Sequence, residues 1–148
     1  IIHIPGHTLG HIAFYSEKAN VIFTGDTLFS LGCGRIFEGT FEQMFGSLER
    51  IKNLSKNTMV YCGHEYTNKN GQFCISIDKD NAKLRNRIED VKNKTQKKLP
   101  TLPITLGEEL ETNIFLRCDD KKIKNNLKMD NSSKLEVFTK LRNLKDKF

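Results

Sequence analysis

Three short runs rich in apolar and β-branched residues, Ile1–Ile4, Val21–Thr24 and Thr58–Cys62, each lead into a glycine: Gly6, Gly25 and Gly63. Each glycine is followed at once by a side chain that can bind a cation: His7, Asp26 and His64. A continuous apolar run reads as a buried strand, and Val21–Thr24 is the clearest of the three. Glycine at the end of such a strand lets the backbone bend sharply and come close to an ion. Ile12–Tyr15 and Val21–Thr24 flank the polar stretch Ser16–Asn20 and predict a hairpin. Gly32 and Gly34 predict a loop over 32–35. Thr40 and Gln43 have the spacing of a capping box, and Phe41, Met44, Phe45, Leu48, Ile51 and Leu54 recur at helical intervals. Strand, helix, strand in that order predicts a sheet covered by a helix, an α/β layer.

From Asn68 the pattern changes. Phe73, Ile75 and Ile77 suggest a short helix. Asp80 or Asn81 caps a clearer one, with Leu84, Ile88 and Val91 on one face and Lys/Arg on the other. Leu99–Pro103 is an extended connector, because each proline disfavours helix at the residue before it. Thr105 and Glu108 form a second capping box for a helix through Glu111, and Asn113–Arg117 follows as an apolar plug. Asp119–Ser133 is Lys/Asn-rich and predicts a mobile loop. Ser132 or Ser133 opens a last helix with Leu135, Phe138, Leu141 and Leu144 inward; Arg142 and Lys145, three apart, point the same way.

The length of 148 residues allows one domain or two small ones. Ile1 opens the chain directly on a strand and a ligand loop, which reads as the middle of a fold. No apolar run approaches the ~20 residues of a membrane span, so the expectation is a soluble cytoplasmic protein, or an organellar one if a targeting segment precedes it. Cys33, Cys62, Cys74 and Cys118 form no C-x-x-C pair and are expected as reduced thiols, Cys62 as a small buried hydrophobe. The net charge of +6 is uneven: residues 1–76 hold six basic and six acidic residues, residues 77–148 eighteen and twelve. That shift places a domain boundary near Ile77, giving parts 1–76 and 77–148. It gives the second part a surface suited to an anionic partner, solvated lysines being the plainer reading.

Histidine with aspartate suits Zn²⁺, Fe²⁺ or Mn²⁺. The segments Pro-Gly-His-Thr-x-Gly-His (5–11), Phe-Thr-Gly-Asp-Thr-Leu-Phe (23–29), Gly-Cys-Gly-Arg-x-Phe-Glu-Gly-Thr (32–40) and Tyr-Cys-Gly-His-Glu-Tyr-Thr (61–67) resemble the second half of a metallo-β-lactamase-fold hydrolase. The likeness is to the glyoxalase II (hydroxyacylglutathione hydrolase) family. It extends through Leu-Pro-x-Thr-Leu-x-Glu-Glu (102–109), Asn-x-Phe-Leu-Arg (113–117) and Leu-Arg-x-x-Lys-Asp-Lys-Phe (141–148). The resemblance implies an α/β fold, the second half of an αββα sandwich, followed by a small α-helical C-terminal domain. It implies two divalent metal ions, zinc first with iron or manganese as alternatives. The reaction would be S-D-lactoylglutathione plus water to D-lactate and glutathione, the final step of methylglyoxal detoxification.

By motif position His7 would bind one metal, His64 the other, and Asp26 would bridge both beside a shared hydroxide that attacks the thioester. Arg35, Phe37 and Tyr66 would contact the glutathione moiety, and Arg142 and Lys145 would hold its glycine carboxylate. His11 is implied to be structural, and His3 is read as an ordinary strand residue. The expected partner is a glutathione thioester, with no nucleic acid and no membrane, and the protein is expected to be a monomer. The family's His-x-His-x-Asp-His motif has no counterpart in residues 1–148. Each ion would therefore lack ligands, and the chain alone is expected to be weakly active or inactive.

Two other readings stand beside this one. A persulfide dioxygenase of the same fold carries Gly-Asp and Gly-Cys-Gly-Arg segments and one iron, but would end soon after its last His-containing strand. A non-catalytic basic module for RNA or an acidic partner has only charge in its support, with no interleaved aromatic platform.

Overall fold

The computed structural model describes Ile1–Phe148 throughout. Strands β1 (Ile2–His3), β2 (Ile12–Ser16) and β3 (Val21–Gly25) pair antiparallel, and the expected hairpin pairs Phe14 with Phe23 and Ser16 with Val21. The loop expected over 32–35 begins instead as a strand: β5 (Gly32–Cys33) pairs with β4 (Leu28–Phe29) in a two-stranded ladder. Its turn is held by side chains 40 to 84 residues further along the chain, which local sequence cannot reveal. Helix α1 (Phe41–Lys52) starts at Thr40 with both hydrogen bonds of the capping box and leads to β6 (Met59–Cys62), parallel to β3.

Helix α2 (Thr67–Ile77) begins six residues before Phe73, where its polar residues Thr67 and Asn70 are buried by tertiary contacts. Asn81 caps α3 (Ala82–Gln96). Leu84 and Val91 face the core as expected, but Arg87 leaves the polar face and is buried as well. The connector ends in β7 (Ile104–Thr105), which pairs antiparallel with β6 and completes the sheet in the order β1-β2-β3-β6-β7. Two residues are too few to show a period, so no sequence signal marked this strand.

Helix α4 (Leu106–Thr112) has the expected capping box at Thr105, and Ile114–Leu116 forms a buried 3₁₀ turn. The expected mobile loop contains helix α5 (Lys121–Asn126), capped by Asp120, whose carboxylate accepts from the amides of Lys122 and Ile123. Burial opposes ionisation of Asp120, yet Arg117 and these amides outweigh it and hold the carboxyl below its ordinary range. Ile123 is fully buried, a single apolar anchor that a Lys/Asn-rich composition hides. Helix α6 (Lys134–Asp146), capped by Ser133, buries Val137, Phe138 and Leu141.

One core of 23 buried residues runs from Ile4 to Leu141, through both the neutral and the basic parts of the chain. Ala13, Ile22, Val60 and Ile104 give it the inner face of the sheet. The expectation of a fully buried central strand is corrected on the other face. Phe14, Phe23 and Tyr61 lie side by side across three strands and are 55%, 52% and 38% exposed. No element of residues 1–148 covers that face. No helix is long and apolar enough to cross a membrane.

Candidate active site

The parallel strands β3 and β6 end side by side, and the Gly63 amide donates to the Gly25 carbonyl at 2.9 Å. The residues that follow, Asp26 and His64, therefore emerge together at the carboxyl ends of the strands, where open α/β sheets place their ligands. Asp26 is packed on three sides. Its amide donates to His11 Nε2 at 3.0 Å, and a Cβ on Gly34 or Gly63 would collide with its carbonyl oxygen or its Oδ1, respectively. His11 thus orients the Asp26 backbone, as a structural histidine should. His7 Nδ1 lies 2.8 Å from the Arg35 carbonyl oxygen, which can only accept, so Nδ1 carries the proton and the Nε2 lone pair is free. His64 stacks on Tyr66 with centroids 4.8 Å apart, and the Phe29 ring stands edge-on to both.

The Nε2 atoms of His7 and His64 each lie 3.5 Å from the same atom, Asp26 Oδ2. Two ligands of one tetrahedral ion at ~2.0–2.1 Å are separated by about 3.4 Å, so each His–Asp pair is spaced as neighbours on a metal. A Nδ1–H bonded to a backbone carbonyl, as at His7, is the usual outer support of a metal-binding histidine. No three His, Cys, Asp or Glu side chains converge on a single ion. The donor set of two histidines and a carboxylate suits a divalent cation and supplies part of its coordination.

All eight residues singled out from the sequence, His7, Asp26, Arg35, Phe37, His64, Tyr66, Arg142 and Lys145, line one cavity of about 520 Å³. The Phe37 ring packs on His7 at 4.9 Å. Arg35 is exposed, with Nε 3.5 Å from Asp146. Arg142 differs from expectation. The residue is 3% exposed and its guanidinium already committed, Nη1 donating to the Cys33 carbonyl at 2.7 Å and Nη2 to Asp146 at 2.8 Å. The cation facing the cavity beside it is Lys145, whose Nζ sits between the rings of Phe73 and Phe148 at 5.5 and 5.2 Å. Burial and the nearby charges of Arg142 and Lys69 lower its pKa.

Lys69, Asn70, Phe29, Cys33 and Phe148 also line the cavity and were not picked out from the sequence. Lys69 forms no ion pair and lies on the first turn of α2. Recognising that helix at Thr67, just past His64, would have placed Lys69 beside the site. Burial pushes the Cys33 thiol up despite the neighbouring Arg142, so it stays protonated.

Residues 65–148 match the family described as hydroxyacylglutathione hydrolase C-terminus, and residues 1–64 match the metallo-beta-lactamase superfamily. The hydroxyacylglutathione hydrolase of Pelagibacter ubique (strain HTCC1062) is 54% identical over the whole chain, which covers 56% of that protein. That of Chelativorans sp. (strain BNC1) is 49% identical, again over the whole chain and 58% of the relative. This chain therefore spans a little over half the length of the curated relatives it matches. The crystal structure of ETHE1 from Myxococcus xanthus superposes with a TM-score of 0.56 over 97% of this chain and 44% of the other; at 22% identity the likeness is one of fold. The sheet, the helices on its inner face and the donors at its carboxyl end thus form the second half of a metallo-β-lactamase fold with its helical extension, and the chain belongs to the hydroxyacylglutathione hydrolase C-terminus family.

Proposed function

We propose that residues 1–148 form the carboxylate-bridge and substrate-binding part of a thioester hydrolase that converts S-D-lactoylglutathione and water to D-lactate and glutathione. The observation that carries this reading is the shared Asp26 Oδ2, 3.5 Å from both histidines in a cavity that also presents Arg35, Lys69 and Lys145. Residues 1–76 would carry the donors together with Arg35 and Lys69, and residues 77–148 would add Lys145 to the anion-binding wall.

His7 and Asp26 would hold one divalent ion and Asp26 and His64 the other, zinc first, with the remaining ligands supplied by residues outside 1–148. Such ions polarise an acyl carbonyl and make water acidic enough to react at neutral pH. The residues of this chain do the rest. The Arg35 carbonyl holds the His7 tautomer, and His11 holds the Asp26 backbone. Phe37 and Tyr66 provide apolar flanks for the thioester. Lys145, Lys69 and Arg35 take the two carboxylates of glutathione in charge-assisted hydrogen bonds, while Arg142 shapes the wall through the Cys33 carbonyl. The water oxygen bonds to the acyl carbon, the C–S bond breaks, and the proton ends on the thiol. A thiolate of parent pKa about 8.5 leaves without a strong general acid.

The test is metal analysis and S-D-lactoylglutathione hydrolysis on the full-length natural protein and its Asp26→Asn variant. The expected result is two divalent ions per parent chain and a loss of at least ~100-fold in kcat for the variant, above the cost of disturbing an outer metal partner. Undiminished turnover in Asp26→Asn, or a metal-loaded parent with no turnover, overturns the reading.

A further inference from the structure

We infer that Glu109, a residue outside the cavity, is a positioning residue that fixes the β4–β5 turn against the site. The backbone of the turn residues Phe29–Gly32 is held by side chains distant in sequence, from α2, from α4 and from Asn113 at the end of α4. Asn113 Nδ2 donates to the carbonyls of Phe29 and Gly32 at 3.3 and 3.1 Å, Asn70 Nδ2 to that of Ser30 at 3.0 Å, and the Cys74 thiol to that of Leu31 at 3.0 Å. The Leu31 amide donates to Glu109 Oε2 at 2.9 Å. Leu31 takes φ +57°, a left-handed conformation that a branched side chain adopts only where its surroundings impose it.

Glu109 is the hub of this arrangement. It is fully buried, and its carboxylate accepts from Leu31, from Asn113 Nδ2 at 2.9 Å and from the Ser30 hydroxyl at 3.1 Å, which in turn accepts from Arg87 Nη2 at 3.0 Å. Burial pushes the carboxyl pKa up, against the pull of these donors and Arg87. An apolar side chain there would leave the Leu31 amide, the Asn113 amide group and the Ser30 hydroxyl without their acceptor, so the buried carboxylate supplies acceptors at three fixed points. What these acceptor oxygens hold is the hairpin that lies against the site. Phe29 stands edge-on to His64 and Tyr66, and Cys33 offers its carbonyl to Arg142. The Gly34 amide donates to Thr27, next to Asp26, and Arg35 holds His7.

This inference rests on the hydrolase reading for its kinetic arm only. The full-length natural protein is compared with Glu109→Ala and Glu109→Gln by amide hydrogen exchange at Leu31 and Gly34 and by kcat and KM for S-D-lactoylglutathione. Glutamine keeps an acceptor for Leu31 and Asn113 and offers its NH₂ to Ser30. The expected result is exchange at both amides at least ~10-fold faster in Glu109→Ala, with kcat/KM down by a similar factor, exchange in α6 unchanged, and both readouts within ~3-fold of parent in Glu109→Gln. Parental exchange at Leu31 and Gly34 in a folded Glu109→Ala protein overturns the inference. So does Glu109→Gln behaving like Glu109→Ala, which would assign the effect to charge. If the parent shows no hydrolysis, the proposed function falls while the exchange arm still decides the positioning role. If Glu109→Ala does not fold, Ser30→Ala removes one bond of the hub and is expected to speed exchange at Leu31; no change there overturns the inference equally.

Discussion

Asp26 is the residue on which the proposed site turns, and its surroundings confine its carboxylate. Gly34 and Gly63 leave no room for a side chain beside it, and His11 takes its amide, so the carboxylate has one direction left, toward the two histidine Nε2 atoms. On the opposite wall the cations are less confined. Lys69 is exposed and carries no carboxylate partner, so its ammonium is available to an anionic substrate. Lys69→Ala is expected to raise KM for S-D-lactoylglutathione by about 3–10-fold with kcat little changed, and the rise should shrink as ionic strength increases. A KM equal to the parent's at low salt would remove Lys69 from the binding wall. The convergence of His7, Asp26 and His64 was legible in the sequence because each directly follows its own glycine at the end of a strand. The commitment of Arg142 was not, because its partner, the Cys33 carbonyl, lies 109 residues away along the chain.

Among the elements, α6 ties the basic part of the chain to the sheet. Phe138 is fully buried on it and meets Phe45, Phe115 and Phe41 at ring distances of 5.6, 6.1 and 6.5 Å. Phe138→Ala leaves a cavity among three aromatic rings and should destabilise the folded protein by roughly 3–5 kcal/mol in urea unfolding. A loss under ~1 kcal/mol would mean that α6 docks through other residues. Arg142 and Lys145 ride on the same helix, so the variant is also expected to weaken glutathione binding. Helices α1, α3, α4 and α6 were readable in advance because each cap is a contact between residues three apart, from Thr40, Asn81, Thr105 and Ser133. The start of α2, the two-residue β7 and the short α5 were not, because buried Thr67 and Asn70, pairing with β6 and buried Ile123 stabilise them.

For the molecule as a whole, the outer face of the sheet is the telling surface. Phe14, Phe23 and Tyr61 form a row of half-exposed rings, with Phe23 and Tyr61 stacked at 5.2 Å, and monomeric proteins seldom leave such rows to solvent. The 148-residue chain expressed by itself is expected to bind a hydrophobic dye and self-associate through this face. Phe23→Lys should reduce both at least several-fold, and unchanged dye binding in that variant would place the sticky surface elsewhere. This chain covers 56% and 58% of the two relatives.

The sequence by itself determined the local units of this protein: the strand-glycine-ligand pieces, the capped helices and the hairpin, each set by neighbours a few residues apart. It also marked, through its motifs, the eight residues that meet in one cavity. Only the tertiary structure decided how that cavity is divided, with Arg142 withdrawn into the wall and Glu109 set behind the β4–β5 turn. These assignments are hydrogen bonds and approaches between residues tens to more than a hundred positions apart. No periodicity or spacing encodes such pairs, because the folded core alone brings them together.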